Sequence, residues 1–101
     1  MGYSGQLSND LAVSKSSNND AYKLFLGMLR QLRREKSVTQ VALAELLGKP
    51  QSYVSKYELG ERRIDLVEAI EICRALDTDF VAFVQRLVKK IDRTGGVSIA
   101  S

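Results

Sequence analysis

The sequence predicts an all-α domain of five helices, on three observations. Apolar residues recur three and four apart through most of residues 20–92, two of these short helical patterns meet at Gly48, and no segment alternates apolar with polar residues as a half-buried strand would. With 101 residues, 45% of them apolar and 27% charged, the chain suffices for one compact core and is too short for two. The expected divisions are a flexible N-terminal tail at 1–19, the main domain at 20–77, a C-terminal helix at 78–92 and a C-terminal tail at 93–101.

Residues 1–19 are rich in Ser, Asn and Gly, and the run SKSSNND has nothing to bury. They read as a mobile tail, in which Leu7, Leu11 and Val13 offer apolar side chains for docking. Asn19 or Asp20 would cap the first helix, whose stripe is Tyr22, Phe25, Leu26, Leu29 and Leu32. Arg30, Arg33 and Arg34 gather near its end, where cations complement the helix dipole.

Thr39 would cap the second helix, with Val41, Leu43, Ala44 and Leu47 at helical spacing and Leu43, Ala44 and Leu47 as its buried side, and Gly48 supplies a position for positive φ. Lys49 and Pro50 allow only a short connection before the third helix, expected from about Pro50 to Glu58 and closed at Leu59 and Gly60. Val54 and Tyr57 turn back toward the second helix. Ala44 and Val54 suit a steep crossing, which needs a small side chain at the contact and an apolar one opposite.

Asp65 and Glu68 spell a capping box for a fourth helix that would bury Leu66, Ile70, Cys73 and Leu76 and stop near Asp77. Thr78 or Asp79 opens the fifth, in which Phe80, Val84, Leu87 and Ile91 form one stripe, Val81 and Val88 widen it, and Phe83 lies near its other edge. This exceeds what one small core requires. Either these residues form a self-association face, or all of them pack inside the monomer. The glycine pair in RTGGVSIAS ends the helix, and the remainder reads as a tail or a short strand.

The formal net charge is +3, and its distribution says more than its size. Over residues 23–63, Lys23, Arg30, Arg33, Arg34, Lys36, Lys49, Lys56, Arg62 and Arg63 outweigh Glu35, Glu45, Glu58 and Glu61 by about +5. Over residues 64–79, Asp65, Glu68, Glu71, Asp77 and Asp79 outweigh Arg74 by about −4. A positive front and a negative back fit a protein that offers one face to a polyanion. No apolar run approaches the roughly 20 residues that span a bilayer, and the N-terminal segment lacks the pattern of a signal peptide, so a cytoplasmic protein is expected. The single cysteine, Cys73, reads as a small core residue. With no His, no Gly-rich phosphate loop, no clustered Cys and no carboxylate pair apart from the solvated acidic helix, neither catalysis nor a metal or cofactor is expected.

The third helix leaves Gln51, Ser52, Ser55 and Lys56 outside. An amide can pair with adenine, a hydroxyl with several bases, and an ammonium with guanine or phosphate. Four polar residues alone would describe any solvated helix face. Their place just after a tight interhelical turn makes double-stranded DNA the expected partner.

The stretch LRREKSVTQVALAELLGKPQSYVSKYELGERR, followed by a helix containing AIEICRALD, resembles the Cro/C1-type helix-turn-helix family, also called XRE, to which phage repressors and many small bacterial regulators belong. The match covers roughly residues 23–77 and rests on Arg33, Thr39-Gln40, Leu43-Ala44, Gly48, Gln51, Ser55, Tyr57-Glu58 and Gly60 together. It implies a five-helix lambda-repressor-like DNA-binding domain with flexible tails. It further implies that Gln40 meets a phosphate at the start of helix two, that Gln51 reads a base with support from Gln40, and that Ser52, Ser55 and Lys56 line the same exposed face. Arg62 and Arg63 fall in a loop that runs beside the DNA backbone, as phosphate contacts. Arg33 and Glu58 match a structural ion pair that ties helix one to the end of helix three. Pro50, Tyr53 and Leu59 depart from the commoner residues. Tyr53 is grouped with the backbone contacts, against a sugar or a thymine methyl, with covering of the helix as the alternative.

Three binding functions follow. The first is a homodimeric regulator that reads a palindromic operator; the second is an antitoxin-like or accessory protein whose tail or fifth helix binds another protein; the third is a scaffold that has lost DNA binding. Gln40, Gln51, Lys56 and Arg63 argue against the last.

Overall fold

The computed structural model describes the backbone of residues 7–94 and the side chains of residues 20–94. Five helices follow one another, with no strand among the described residues: α1 (Leu7–Glu35), α2 (Gln40–Leu47), α3 (Gln51–Leu59), α4 (Leu66–Ala75) and α5 (Phe80–Arg93).

The helix ends follow local chemistry closely. Thr39 accepts the Ala42 N–H at 3.0 Å and starts α2, and Gly48 ends it at φ 68° with its N–H turned to the carbonyls of Ala44 and Glu45. The capping box is complete, because Asp65 accepts the Glu68 N–H at 2.8 Å while Glu68 accepts the Asp65 N–H at 2.9 Å. Of the two candidates before α5, Asp79 is the cap and accepts the Ala82 N–H at 3.2 Å. Pro50 stands one residue outside α3 as its N-cap, with no side-chain bond.

Arg33 and Arg34 occupy the last turn of α1, as expected. Its start differs. The backbone is already helical at Leu7, so positions 19 and 20 lie inside α1 and not at its start. The expectations for residues 1–6 and 95–101, and for docking of Leu7, Leu11 and Val13, lie outside the described residues.

The core gathers one stripe from each helix. Leu29, Leu43, Val54, Tyr57, Ile72, Cys73, Leu76 and Phe83 are all buried, and Leu26, Leu32, Tyr53 and Ile64 close its edges. Each large side chain removed from water contributes about 1.5–3 kcal/mol before conformational entropy is charged against it. Phe83 of α5 meets Phe25 of α1 edge-on at 6.2 Å, which seats α5 on α1, and stacks on Phe80 of its own helix at 6.4 Å. Ala44 and Val54 are both buried where α2 crosses α3, in the roles expected of them.

One stripe is rotated from its expected place. Leu66 and Val67 are exposed at 65% and 60%, while Ala69 and Ile72 are buried, because α4 turns its Ala69-Ile72-Cys73-Leu76 face toward α2 and α5. The α2 stripe is as expected, with Leu43 and Ala44 buried and Leu47 packed against the core, while Val41 is exposed.

Candidate nucleic-acid interface

Three residues separate the end of α2 from the start of α3, and hydrogen bonds fix that turn. Gly48 N–H donates to the Glu45 carbonyl at 3.1 Å, Lys49 N–H to Ala44 at 2.9 Å, and Tyr53 N–H to Pro50 at 3.0 Å. The turn thereby sets the direction of α3 as it leaves α2. Tyr53, Val54 and Tyr57 face the core, and the helical period puts Gln51, Ser52, Ser55 and Lys56 on the other side. Gln51, Ser52 and Lys56 are exposed and Ser55 is half-buried, so all four share one outward face.

A chain of side-chain bonds runs from the core to that face. Arg33 donates from Nε to Glu58 Oε2 at 2.7 Å and from Nη2 to Glu58 Oε1 at 3.0 Å, and its Nη1 donates to the Val38 carbonyl at 2.8 Å. One guanidinium thus joins α1, the turn before α2, and α3. Gln40 Nε2 donates to Glu58 Oε1 at 2.9 Å, and Gln51 Nε2 donates to Gln40 Oε1 at 3.4 Å. The expected ion pair and the expected support of Gln51 by Gln40 are therefore parts of one network. The bond from Gln40 to Glu58 has no signal in the sequence, since it depends on how α2 and α3 cross. The hydrogen bond to Glu58 holds the Arg33 guanidinium above its ordinary value, against the cost of its burial. Arg30, expected only as a cation near the end of the first helix, places Nε 3.9 Å from Glu58 Oε1 while remaining half-exposed.

Tyr53 and Arg62 are both engaged by neighbouring side chains. The Tyr53 ring is buried, meets Tyr57 edge-on at 5.6 Å, and is covered by the Arg62 guanidinium at 4.7 Å and the Lys49 ammonium at 5.3 Å. It covers the core under the turn, the second of its two expected places. Burial raises its phenol, as it does that of Tyr57. Arg62 is committed to Glu68 by two bonds, at 3.0 and 3.3 Å, which raise the guanidinium and hold the Glu68 carboxyl below the ordinary carboxylate value. The side chain expected to meet a phosphate already has an anion beside it.

Arg63 is exposed, with its guanidinium 4.3 Å from the Tyr22 ring centre, and the Tyr22 hydroxyl accepts the Ile64 N–H at 3.2 Å. The loop after α3 is therefore braced on α1 while Arg63 stays at the surface. Lys49 is a further exposed cation, directly before α3. Cys73 is fully buried and burial pushes its thiol up to about 11, in keeping with a core role.

On α5 the candidate association face divides. Phe83 is wholly buried and belongs to the core, which removes it from that face. Phe80 and Val84 are half-buried against the core, Leu87 and Ile91 are half-buried, and Val81 and Val88 are exposed at 63% and 48%.

Among the described residues no group of His, Cys, Asp or Glu is arranged to hold a metal, and no helix is long and apolar enough to cross a membrane.

Comparison with known proteins agrees with this geometry. A helix-turn-helix family profile matches residues 29–83. The fold is similar to that of a solved structure described as an XRE-family like protein from Pseudomonas syringae pv. tomato str. DC3000, with a TM-score of 0.74 and 39% identity, over 76% of this chain and 94% of that one. A comparison with curated proteins found no match. The chain belongs to the XRE family of helix-turn-helix proteins and is a DNA-binding regulator of that type.

Proposed function

We propose that the chain is a homodimeric, sequence-specific transcription regulator that reads a palindromic operator through α3. Gln51, Ser52, Ser55 and Lys56 read base edges in the major groove, and Gln40 and Arg63 meet the phosphates on either side. The observation that carries this reading is the network from Arg33 through Glu58 and Gln40 to Gln51, which holds an exposed amide at a fixed angle to a rigid core. A solvated helix face needs no such support. Arg62 makes a smaller contribution, because Glu68 already balances its charge.

Dimerisation uses α5, through the exposed Val81 and Val88 with Val84, Leu87, Ile91 and the outer edge of Phe80. A two-fold dimer presents two copies of α3 about one helical turn of DNA apart, which makes the operator palindromic. Selection of bound duplexes from a random pool tests the whole reading. Enrichment of paired, inverted half-sites supports it, and failure to enrich any motif overturns it in favour of a protein partner. Light scattering at high micromolar concentration, with and without the selected duplex, tests the dimer separately; a monomeric mass in both refutes it.

A further inference from the structure

We infer that Glu58, which lies beneath the reading face and is not on it, determines which base Gln51 prefers, by fixing the orientation of the two amides between itself and the DNA. This rests on the reading of α3 as the base-reading helix. The Glu58 side chain is only 2% exposed and accepts two bonds from Arg33, so it is held in one position with both oxygens as acceptors. A carboxylate can only accept. Gln40 must therefore turn its NH2 group to Glu58 Oε1, at 2.9 Å, which leaves its own carbonyl oxygen on the other side of the planar amide. Gln51 must in turn offer its NH2 group to that oxygen, at 3.4 Å. Flipping either amide would set two oxygens or two NH2 groups against each other.

The relay leaves Gln51 with its carbonyl oxygen and one N–H for the groove. An acceptor beside a donor matches adenine, which presents an N6 donor and an N7 acceptor, and mismatches guanine, whose O6 and N7 both accept. Glu58 is thus a positioning residue that acts on specificity through Gln40. Its ion pair with Arg33 supplies the fixed end of the relay as well as the helix angle.

The test compares selected sequences and affinities for the wild type, Glu58→Gln and Gln40→Met. A glutamine at 58 can turn either an oxygen or an NH2 group toward Gln40, which releases the direction of the relay. Methionine at 40 cuts the relay and leaves Arg33 on Glu58, so it carries the test should Glu58→Gln not fold. At the half-site position whose preference Gln51→Ala removes, the wild type should favour adenine by about tenfold. Both variants should bring that preference severalfold nearer to level, while preferences at the other positions persist. A merely structural role would weaken all positions alike. Variants that keep the adenine preference, or a wild type that favours another base there, overturn the relay alone. A wild type that enriches no motif overturns the DNA reading as well.

Discussion

Arg33 and Glu58 meet in a two-bond ion pair, Nε to Oε2 at 2.7 Å and Nη2 to Oε1 at 3.0 Å, which joins the end of α1 to the end of α3. Both side chains are nearly buried, at 9% and 2% exposure, so the pair is made where water cannot replace either partner. Arg33→Ala leaves the Glu58 carboxylate buried with Gln40 and a distant Arg30, and should destabilise the fold by about 3 kcal/mol. Urea unfolding at neutral pH measures this. A loss below about 1 kcal/mol would mean that the pair behaves like an exposed one.

Tyr57 contrasts with Arg33, whose nitrogens all find acceptors. Its ring is fully buried, but its hydroxyl has no hydrogen-bond partner among the described residues. Tyr57→Phe removes a buried polar atom and keeps the ring, so the variant should equal the wild type in stability or exceed it by up to about 1 kcal/mol. A loss larger than that in the same unfolding assay would show that the hydroxyl is paired.

The glycines of the described helices and turns separate by backbone conformation. Gly27 lies inside α1, exposed, and a Cβ there would meet nothing within 4 Å. Gly27→Ala should stabilise by about 0.5–1 kcal/mol, through helix propensity alone. At Gly48 a Cβ would also meet open space, but φ is +68°, so Gly48→Ala should destabilise by about 1 kcal/mol through strain. Thermal unfolding of the two variants should shift in opposite directions, and shifts of the same sign would contradict this account of the turn.

Glu68 gives the fold a specific acid dependence. Bonds from Arg62 and from the Asp65 N–H hold its carboxyl below the ordinary value of 4.5. The unfolded chain therefore binds this proton more readily, and the stabilisation is present above about pH 5 and lost as pH falls through the lowered folded-state value. Glu68→Gln should be less stable than the wild type at pH 7, and the gap should narrow toward pH 3. A gap that stays constant across this range would place the contribution in packing rather than in charge.

Much of this architecture was legible in the sequence because it is local. Thr39, Gly48, Asp65 with Glu68, and Asp79 act on amides and carbonyls within a few residues of themselves, and each ends or starts a helix where the pattern put it. The α4 face was not legible, since Leu66 and Ile72 both fit a helical period and only the positions of α2 and α5 decide which is covered. Phe83 and Tyr53 were each open to two readings for the same reason: an aromatic at a helix edge is a core residue or a surface one according to its neighbours. At the interface, the residue types of Gln40, Gln51, Arg33 and Glu58 could be read from the resemblance. Their linkage into one network could not, because Gln40 and Glu58 come together only when α2 and α3 cross.

The central claim is that the outward face of α3 reads bases, and affinity measurements on the Gln51→Ala protein test it most directly. Wild type and variant are titrated at one fixed salt concentration against the selected duplex and a scrambled duplex of equal length, with Arg63→Ala alongside. The expected result is a loss of about 1–3 kcal/mol for Gln51→Ala on the selected duplex and none on the scrambled one, while Arg63→Ala weakens both alike. Equal losses for Gln51→Ala on the two duplexes would contradict a base-reading role for α3.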